Sequence, residues 1–174
     1  MINKLNIGCG KDIKIDYINL DSANLPGVNI VHNLNNYPYP FKDNVFTEVN
    51  ASMIIEHLTD WNKAMEEIWR ICSNGAKIYI RVPFFPSYYA VTDPTHKAVF
   101  TYYTFDYYEP GHPLGEYYFK AKFKVIKKYI RYSETTFLNF LPALIFNAIP
   151  RIYSRYLCFI FPSNILEVEL EVVK

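Results

Sequence analysis

Short apolar runs alternate with polar, turn-forming segments along the chain, and each run predicts a β-strand. Four strands are predicted before residue 53 and three after it: Lys4–Gly8, Tyr17–Asp21, Val28–Leu34, Phe46–Ser52, Ala76–Val82, Phe123–Tyr132 and Ile165–Val173. The first five are mostly apolar and end in loop-forming residues, which is typical of a parallel sheet covered on both faces. The last alternates apolar residues with glutamates, which predicts an antiparallel or edge strand with one face in water.

The clearest helix follows the fourth strand. Apolar residues recur at positions 61, 64, 65, 68, 69 and 72 and predict a helix over Trp61–Cys72. Asp60 is placed to cap its first turn, and Asn74-Gly75 can end it in a left-handed turn. Together the elements predict a single α/β domain over residues 1–174. We expect a doubly wound sheet of about seven strands, mostly parallel, with an antiparallel C-terminal strand and no N-terminal helices.

A strongly apolar and aromatic segment, Phe137–Pro162, stands apart from this pattern. Prolines interrupt it, and its longest charge-free part, Phe137–Pro150, is shorter than the roughly 18–20 residues that a membrane-spanning helix needs. We predict one or two short helices in an insert at about 134–163, before the last strand. The insert either packs on the core, forms a homodimer interface, or makes peripheral contact with a membrane through residues 137–162.

Composition narrows the class of protein. The formal net charge of +1 is unlike the basic footprint of a nucleic-acid binder, so we expect no nucleic-acid partner. Three scattered cysteines indicate neither a disulfide framework nor a zinc site. The first residues carry no apolar signal segment, so we expect a cytoplasmic protein, placed at the inner face of the membrane if the apolar insert binds lipid.

A glycine turn, Gly8-Cys9-Gly10, follows the first strand directly. Glycine lets the backbone pass close to a ligand with which a side chain would collide. Asp21 ends the next strand, where an acid can accept hydrogen bonds from both ribose hydroxyls. The third glycine of a dinucleotide-binding loop is absent, and so is a GxxxxGK[S/T] phosphate loop. A nucleoside ligand without phosphates therefore fits best, and the alternative is a tight turn without a ligand.

The connection from this turn to the second strand is short. Only the six residues Lys11–Asp16 separate them, whereas a parallel crossover normally takes a dozen or more, usually as a helix. We expect the first covering helix to be lost or reduced to a turn. The cofactor site would then be open, with a second subunit or the apolar insert available to cover it.

Three motifs carry a resemblance to a known family: Leu5–Gly10 (LNIGCG), Tyr17–Asp21 (YINLD) and Ala51–Leu58 (ASMIIEHL). Over nearly its whole length the chain resembles a small member of the type 11-like branch of the class I S-adenosylmethionine (SAM)-dependent methyltransferases. The later run Asp93–His96 (DPTH) with Phe100-Thr101 is similar to bacterial and archaeal members associated with glycan or lipid-linked sugar pathways. The resemblance implies a Rossmann-like fold and SAM as the cofactor.

The resemblance also implies a role for each matching residue. The turn Gly8-Cys9-Gly10 would lie under the methionine and ribose parts of SAM, and Asp21 would hold the ribose hydroxyls. Asn33, followed by Leu34, stands where family members often place an aspartate near the adenine amino group, and its amide oxygen still accepts a hydrogen bond. Ser52 and Glu56 would follow the fourth strand near the methyl donor.

Methyl transfer needs a base only where the acceptor must lose a proton. His96 is the preferred candidate, on a loop expected near the cofactor, with Asp93 to orient it and His57 as second choice. The alternatives are a proline turn in which Asp93 and His96 bond local backbone, and a polar, solvated helix end at Glu56-His57. The spacings of these residues do not match a compact metal site, so we predict none.

These observations predict SAM-dependent methyl transfer to a small molecule or to a glycan or lipid-linked sugar. The aromatic segment Tyr88–Tyr118 lies between the fifth and sixth strands, where such folds build the acceptor pocket. Its tyrosines either stack on the acceptor or pack beneath a long loop. The competing hypothesis is a degenerate, non-catalytic SAM-fold binding or scaffold protein, which the short first connection and Asn33 favour.

Overall fold

The computed structural model describes residues 2–133 and 136–174, without the side chains of residues 136–140. The first two residues of the predicted insert, 134 and 135, therefore lie outside the described residues. The side chains at the start of the apolar segment, from Phe137 to residue 140, lie outside them as well.

Seven strands form one mixed sheet in the order β3-β2-β1-β4-β5-β7-β6. They are β1 (Lys4–Ile7), β2 (Ile18–Asp21), β3 (Ile30–Val31), β4 (Phe46–Ser52), β5 (Cys72–Pro83), β6 (Lys122–Arg131) and β7 (Ile165–Val173). The first five strands are parallel to one another, and β7 is antiparallel to both β5 and β6. The predicted α/β class and the antiparallel C-terminal strand are confirmed. The alternating side chains of β7 bury one face only, as the sequence pattern predicted.

Five α-helices and three 3-10 helices occur among the described residues. They are α1 (Trp61–Ile71), α2 (Tyr88–Thr92), α3 (Pro113–Tyr118), α4 (Thr136–Ala148) and α5 (Pro150–Arg155), with 3-10 helices at Ile55–His57, Thr104–Tyr108 and Leu157–Phe159. The helices α4 and α5 lie in the apolar insert. No described helix has both the length and the apolar character needed to cross a bilayer. The sequence did not predict α2 and α3, because five and six residues are too few to show a helical period.

The helix α1 begins as predicted and ends differently. The Asp60 carboxylate accepts a hydrogen bond from the Lys63 N–H at 3.0 Å, which confirms the cap. The helix ends at Ile71, and Cys72 is already extended, so the prediction that Asn74-Gly75 ends it is wrong. The N–H groups of residues 44 and 45 donate to the carbonyls of residues 70 and 71. The last carbonyls are thereby satisfied without a left-handed cap, and Gly75 lies inside β5.

Two buried asparagines replace the first crossover helix. Residues 8–17 form turns, as the short connection predicted. The Asn6 amide donates to the Asp12 carbonyl at 2.7 Å and to the Asn19 side chain at 3.0 Å. The Asn19 amide donates to the Lys14 carbonyl at 2.9 Å, and its oxygen accepts from the Lys14 N–H. Side-chain amides therefore satisfy the backbone groups of a connection that has no helical hydrogen bonds of its own.

One face of the sheet carries the apolar core and the other carries a polar row. The core face holds fully buried side chains such as Leu5, Val49 and Ile78, together with the buried side of α1. The polar row consists of residues paired in register across six strands: Asn19, Asn6, Asn50, Tyr79, Glu169 and Lys127. Along β4, β5, β7 and β6 this face forms an open groove of about 430 Å³. The sheet is therefore not fully covered on both faces, contrary to expectation, because the side chains of these four strands that point to this face are polar.

Candidate active site

A cavity of about 190 Å³ lies at the carboxyl ends of β1 and β2, and we call it the glycine-turn cavity. It is lined by Gly8, Asp21, Ser22, His32, Asn33, Leu34, Asn35, Ile54, His57 and Leu58. Four residues predicted to bind cofactor, Gly8, Asp21, Asn33 and Leu34, therefore meet here. Sequence reasoning missed Ser22, His32, Asn35, Ile54 and Leu58. Four of them directly follow a strand end or a predicted site residue, and Ile54 lies two residues after the end of β4. The loops at the carboxyl ends of parallel strands are where ligands bind.

The two glycines of the turn have different surroundings. Gly8 has a φ of +61°, and a Cβ added there would lie 2.2 Å from Cγ1 of Ile54. Gly10 has a φ of +48°, and no atom lies within 4 Å of a Cβ added there. The absence of a side chain at Gly8 thus admits Ile54 rather than leaving bare backbone for a ligand. Gly10 is the glycine that leaves space open beside the turn.

The Asp21 carboxylate ties the turn to the end of β2. Its Oδ2 accepts a hydrogen bond from the Gly10 N–H at 2.8 Å, and its Oδ1 accepts from the Ala23 N–H at 2.9 Å. Each carboxylate oxygen can accept more than one hydrogen bond, so the group still fits a ribose diol. Cys9 is buried beneath the turn, and burial together with the Asp21 charge raises the pKa of its thiol. Cys9 therefore has a packing role here.

Asn33 and Leu34 lie on the adenine side of the cavity in the predicted arrangement. The Asn33 side-chain oxygen accepts a hydrogen bond from the Asn35 N–H at 2.9 Å. Leu34 is buried in the core. Ser52 and Glu56 do not line this cavity. Ser52 belongs to the polar groove, because alternate residues of β4 face opposite sides of the sheet, and Glu56 lines a second cavity.

This second cavity, the histidine cavity, has a volume of about 450 Å³. It is lined by Met53, Glu56, His57, Tyr88, Tyr89, Thr92, Asp93, Pro94 and His96. Met53 directly follows β4, the 3-10 helix after it supplies Glu56 and His57, and α2 with the loop after it supplies the others. All three candidate catalytic residues, His57, Asp93 and His96, are brought together. His57 lines both cavities.

Hydrogen bonds fix the orientation of His57 through a threonine. The Thr95 hydroxyl lies 2.9 Å from Nδ1 of His57 and donates to Oδ1 of Asp93 at 2.7 Å. A hydroxyl has a single proton, so Nδ1 of His57 carries the hydrogen that the threonine oxygen accepts. The Nε2 atom of His57 is then the unprotonated one. The hydrogen bonds from Thr95 also lower the pKa of Asp93.

His96 is oriented by backbone, not by Asp93. Its Nδ1 lies 3.3 Å from the Ala90 carbonyl oxygen, which can only accept. The distance from Nε2 of His96 to the Asp93 carboxylate is 3.9 Å, too long for a hydrogen bond. The local proline turn proposed as an alternative is therefore present, since Asp93 also accepts from the Thr95 N–H at 2.8 Å. It coexists with the cluster of histidines.

Glu56 is fully buried, which contradicts the interpretation of Glu56-His57 as a solvated helix end. Burial raises the pKa of Glu56 to about 7, and the charge of Asp93 adds to this. Burial and the neighbouring His96 lower the pKa of His57. The rings of His57 and His96 cross at 65°, with their centroids 4.8 Å apart. The two imidazole rings therefore pack against each other beside the buried carboxyl group of Glu56.

Comparison with known proteins agrees with this geometry. A family model described as a methyltransferase domain matches residues 22–80, a stretch that includes most of the lining of the glycine-turn cavity and, of the histidine cavity, Met53, Glu56 and His57. This part of the chain is therefore similar to methyltransferase domains, and the fold of the whole chain is that of SAM-dependent methyltransferases. No curated protein sequence matches the chain.

Solved structures share the fold of this chain. A SAM-dependent methyltransferase from Archaeoglobus fulgidus is 19% identical, with a TM-score of 0.53 and coverage of 97% of this chain and 85% of that one. The [4+2]-cyclase SpnF is 11% identical, with a TM-score of 0.62 and coverage of 99% and 74%. A Haloferax volcanii methyltransferase in complex with the Trm112 methyltransferase activator is 13% identical, with a TM-score of 0.59 and coverage of 98% and 82%.

The match to a methyltransferase domain over residues 22–80, together with the shared fold, implies SAM as the cofactor and supports SAM-dependent methyltransferase activity. The residues of the glycine-turn cavity fit such a ligand in two respects. The Asp21 carboxylate lines the cavity with lone pairs to spare, and the space beside Gly10 is open. The cavity itself is smaller than the roughly 300–1,000 Å³ of typical ligand pockets, and Ile54 fills the space over Gly8.

Proposed function

We propose that the glycine-turn cavity binds SAM and that the histidine cavity holds the methyl acceptor. The observation that carries this proposal is the position of His57, which lines both cavities. When bound, SAM supplies an electrophilic methyl group on a sulfonium sulfur. The methyl passes to an oxygen or nitrogen of the acceptor as the C–S bond breaks, S-adenosylhomocysteine leaves, and the acceptor atom gives up its proton.

The residues of the first cavity would divide the cofactor between them. Asp21 accepts from the ribose hydroxyls, Asn33 and Leu34 border the adenine, and Gly10 with Cys9 lies under the methionine part. Ile54 is the side chain whose rotation enlarges the cavity, because it alone approaches Gly8 closely. Cofactor binding would therefore involve a rotation of the Ile54 side chain rather than a movement of the sheet.

The second cavity suits a sugar or a flat small molecule. Tyr88 and Tyr89 are 71% and 48% exposed, and their rings are perpendicular with centroids 6.0 Å apart. Exposed aromatic faces at a cavity mouth are suited to stacking on such acceptors. His57, His96 and Asp93 lie behind them and would polarise the O–H or N–H bond of the acceptor. Glu56 belongs to this group by position, rather than to the cofactor side.

The insert points to an acceptor carried by a lipid. Large apolar side chains on α4, α5 and the 3-10 helix after them are exposed, and we call them the apolar surface: Leu141, Leu144, Ile145, Ile152, Tyr156, Phe159, Ile160 and Phe161. Exposed apolar patches of this kind mark interaction sites. From residue 135 to residue 166 the sequence contains Arg151 and Arg155 and no acidic residue. A basic, aromatic and apolar surface matches the interface of an anionic bilayer.

Liposome flotation tests the membrane part of the proposal. Wild-type protein should float with vesicles that contain phosphatidylglycerol and less with phosphatidylcholine alone, and the double variant Leu144→Asp/Ile152→Asp should not float. Ile15→Asp is the matched control, because Ile15 is 94% exposed on the connection between β1 and β2. If the double variant instead converts a dimer to a monomer in light scattering and flotation is absent throughout, the apolar surface is a homodimer interface.

Calorimetry tests the catalytic part. SAM should bind wild-type protein and His96→Ala with similar affinity. Release of S-adenosylhomocysteine in the presence of a membrane lipid extract should fall by about 100-fold or more in the variant, as expected when a group that acts on the acceptor is lost. Equal release by the two proteins would remove His96 from the mechanism.

A non-catalytic SAM-fold protein is the second candidate. The small cavity and the position of Ile54 over Gly8 favour it. A superfamily fold does not fix the reaction, as the cyclase with this fold illustrates. Absence of SAM binding at high micromolar concentration would favour this candidate over the enzyme.

A further inference from the structure

The Glu56 carboxylate is unusual for a buried acid. The side chain has no exposed surface, and neither carboxylate oxygen has a hydrogen-bond partner in another of the described residues. Burying such a group costs several kcal/mol unless it is paired, hydrogen-bonded or bound to a metal. Other acids on this chain are partnered: Glu67, for example, accepts from Arg70 and from the Tyr39 N–H. Glu56 therefore faces a position that calls for a positively charged group.

Two imidazoles share that position. One carboxylate oxygen of Glu56 and one ring nitrogen of each of His57 and His96 lie within 4.8 Å of one another. The three donors come from the 3-10 helix after β4 and from the loop after α2. Two neutral imidazoles and one carboxylate form a donor set used by catalytic zinc sites. Bond lengths of about 2.0–2.2 Å place tetrahedral ligand atoms about 3.4 Å apart, so the side chains of the cluster must move closer together to hold an ion.

The surroundings of both histidines are those of metal ligands. Metal-bound histidines almost always donate their second ring N–H to a carboxylate, a carbonyl or a similar acceptor, which fixes the tautomer. His96 donates through Nδ1 to the Ala90 carbonyl, and His57 donates through Nδ1 to Thr95, whose hydroxyl donates in turn to Asp93. Both Nε2 atoms are left with a free lone pair. This outer arrangement is independent of the unpartnered Glu56 carboxylate.

We propose that Glu56, His57 and His96 form a site for a divalent cation of the zinc class. Imidazole donors favour Zn²⁺ over Mg²⁺ or Ca²⁺. Three protein ligands leave a fourth position open, and here that position faces the histidine cavity beside Tyr88 and Tyr89. The inference rests on the proposed function for what binds there: an acceptor hydroxyl in the open position would have its pKa lowered by the cation. The histidines then act as ligands in place of the free base expected for His96.

Zinc binding can be measured without any acceptor or turnover. Protein stripped with EDTA and dialysed is titrated with Zn²⁺ by calorimetry, and with Co²⁺ by visible absorption, which reports coordination by nitrogen ligands. We expect one saturable site. Glu56→Gln, His57→Ala and His96→Ala should each weaken it by about 100-fold, and Thr95→Val by about tenfold, because an outer partner affects affinity less than a ligand does. Zn²⁺ should also raise the unfolding temperature of wild-type protein.

The matched control is His112→Asn. His112 caps α3 by accepting from the Gly115 N–H, asparagine preserves that cap, and zinc affinity should not change. Circular dichroism identifies any ligand variant that fails to fold, and Thr95→Val, whose side chain is at the surface, keeps the test decisive. The proposal is overturned if wild-type protein shows no saturable zinc site, or if the site persists unchanged in Glu56→Gln and His96→Ala.

The same samples separate this proposal from the proposed function. SAM binding is measured in EDTA and again with one equivalent of Zn²⁺. SAM binding and turnover in EDTA with no zinc site would leave the enzyme proposal standing and remove the metal. A zinc site without SAM binding would remove the methyltransferase proposal and leave the metal.

Discussion

The glycine-turn cavity and the histidine cavity share His57 but differ in whether their buried or lining carboxylates have hydrogen-bond partners. In the first, the Asp21 carboxylate is held by two backbone N–H groups, and Ile54 packs directly over Gly8. In the second, which is more than twice as large, the carboxylate of Glu56 has no partner among other described residues. The first cavity has its carboxylate satisfied by backbone, and the second holds a buried carboxyl group without a hydrogen-bond partner among the other described residues.

This difference separates binding from reaction. A cofactor cavity with satisfied polar groups can close over its own side chains when empty, so its small volume is compatible with a ligand that displaces Ile54. An unsatisfied buried carboxylate lowers stability, and such groups persist mostly where function requires them. The comparison therefore assigns recognition to the first cavity and chemistry to the second.

The largest effect is expected at Gly8. Gly8→Ala should destabilise the fold by about 2–5 kcal/mol, because alanine is strained at positive φ and its Cβ would collide with Ile54. Gly10→Ala meets the same strain without the collision, so we expect only about 1–2 kcal/mol. Denaturant unfolding of the two variants measures the difference. Equal losses would show that Ile54 moves away freely, and that the first cavity is not closed by it.

The next effect is on cofactor affinity. Asp21→Ala should weaken SAM binding by about 10- to 100-fold, because hydrogen bonds to a charged group contribute about 1.5–3 kcal/mol. Asp16→Ala, an exposed acid on the same connection, is the control and should change affinity less than about twofold. Calorimetry at constant salt compares them. A similar loss in both would mean that general negative charge, and not the position of residue 21, attracts the cofactor.

The smallest expected effect is on the free energy of unfolding. It compares the buried carboxylate of Glu56 with the partly buried carboxylate of Glu67. In EDTA at pH 8, Glu56→Met should raise the free energy of unfolding by about 1–2 kcal/mol, because it removes an unpartnered buried acid. Glu67→Met should lower it by about 1–3 kcal/mol, because it leaves Nε of Arg70 and the Tyr39 N–H without their acceptor. Urea midpoints give both values. Destabilisation by both substitutions would show that Glu56 is satisfied in the free protein, against the comparison above.

Features written in a local pattern could be predicted from the sequence. The bounds of β4 and β7 match the predicted runs, because a two-residue alternation survives wherever one face of a strand is buried. The cap at Asp60 is equally local. The glycine turn and Asp21 were found because each directly follows an apolar strand. In the same way, much of the lining of the first cavity could be predicted, because its residues follow strand ends.

Features created by distant contacts could not be predicted. His96 reaches His57 because the loop after α2 folds back over the 3-10 helix after β4, and 38 residues separate His57 from its hydrogen-bond partner Thr95. Glu56 was assigned to the cofactor because the resemblance places it after the fourth strand near the methyl donor, but it lines the histidine cavity instead. Asn6 and Asn19 looked like ordinary polar strand positions until their partners were known.

The polar row across the sheet bears on how small a domain of this kind can be. Asn6, Asn19 and Asn50 are linked side chain to side chain, and amide groups are as well satisfied by water as by one another. A helix packed on that face would bury no apolar side chain of this row. A short connection between β1 and β2 therefore leaves no apolar side chain of this row exposed to water.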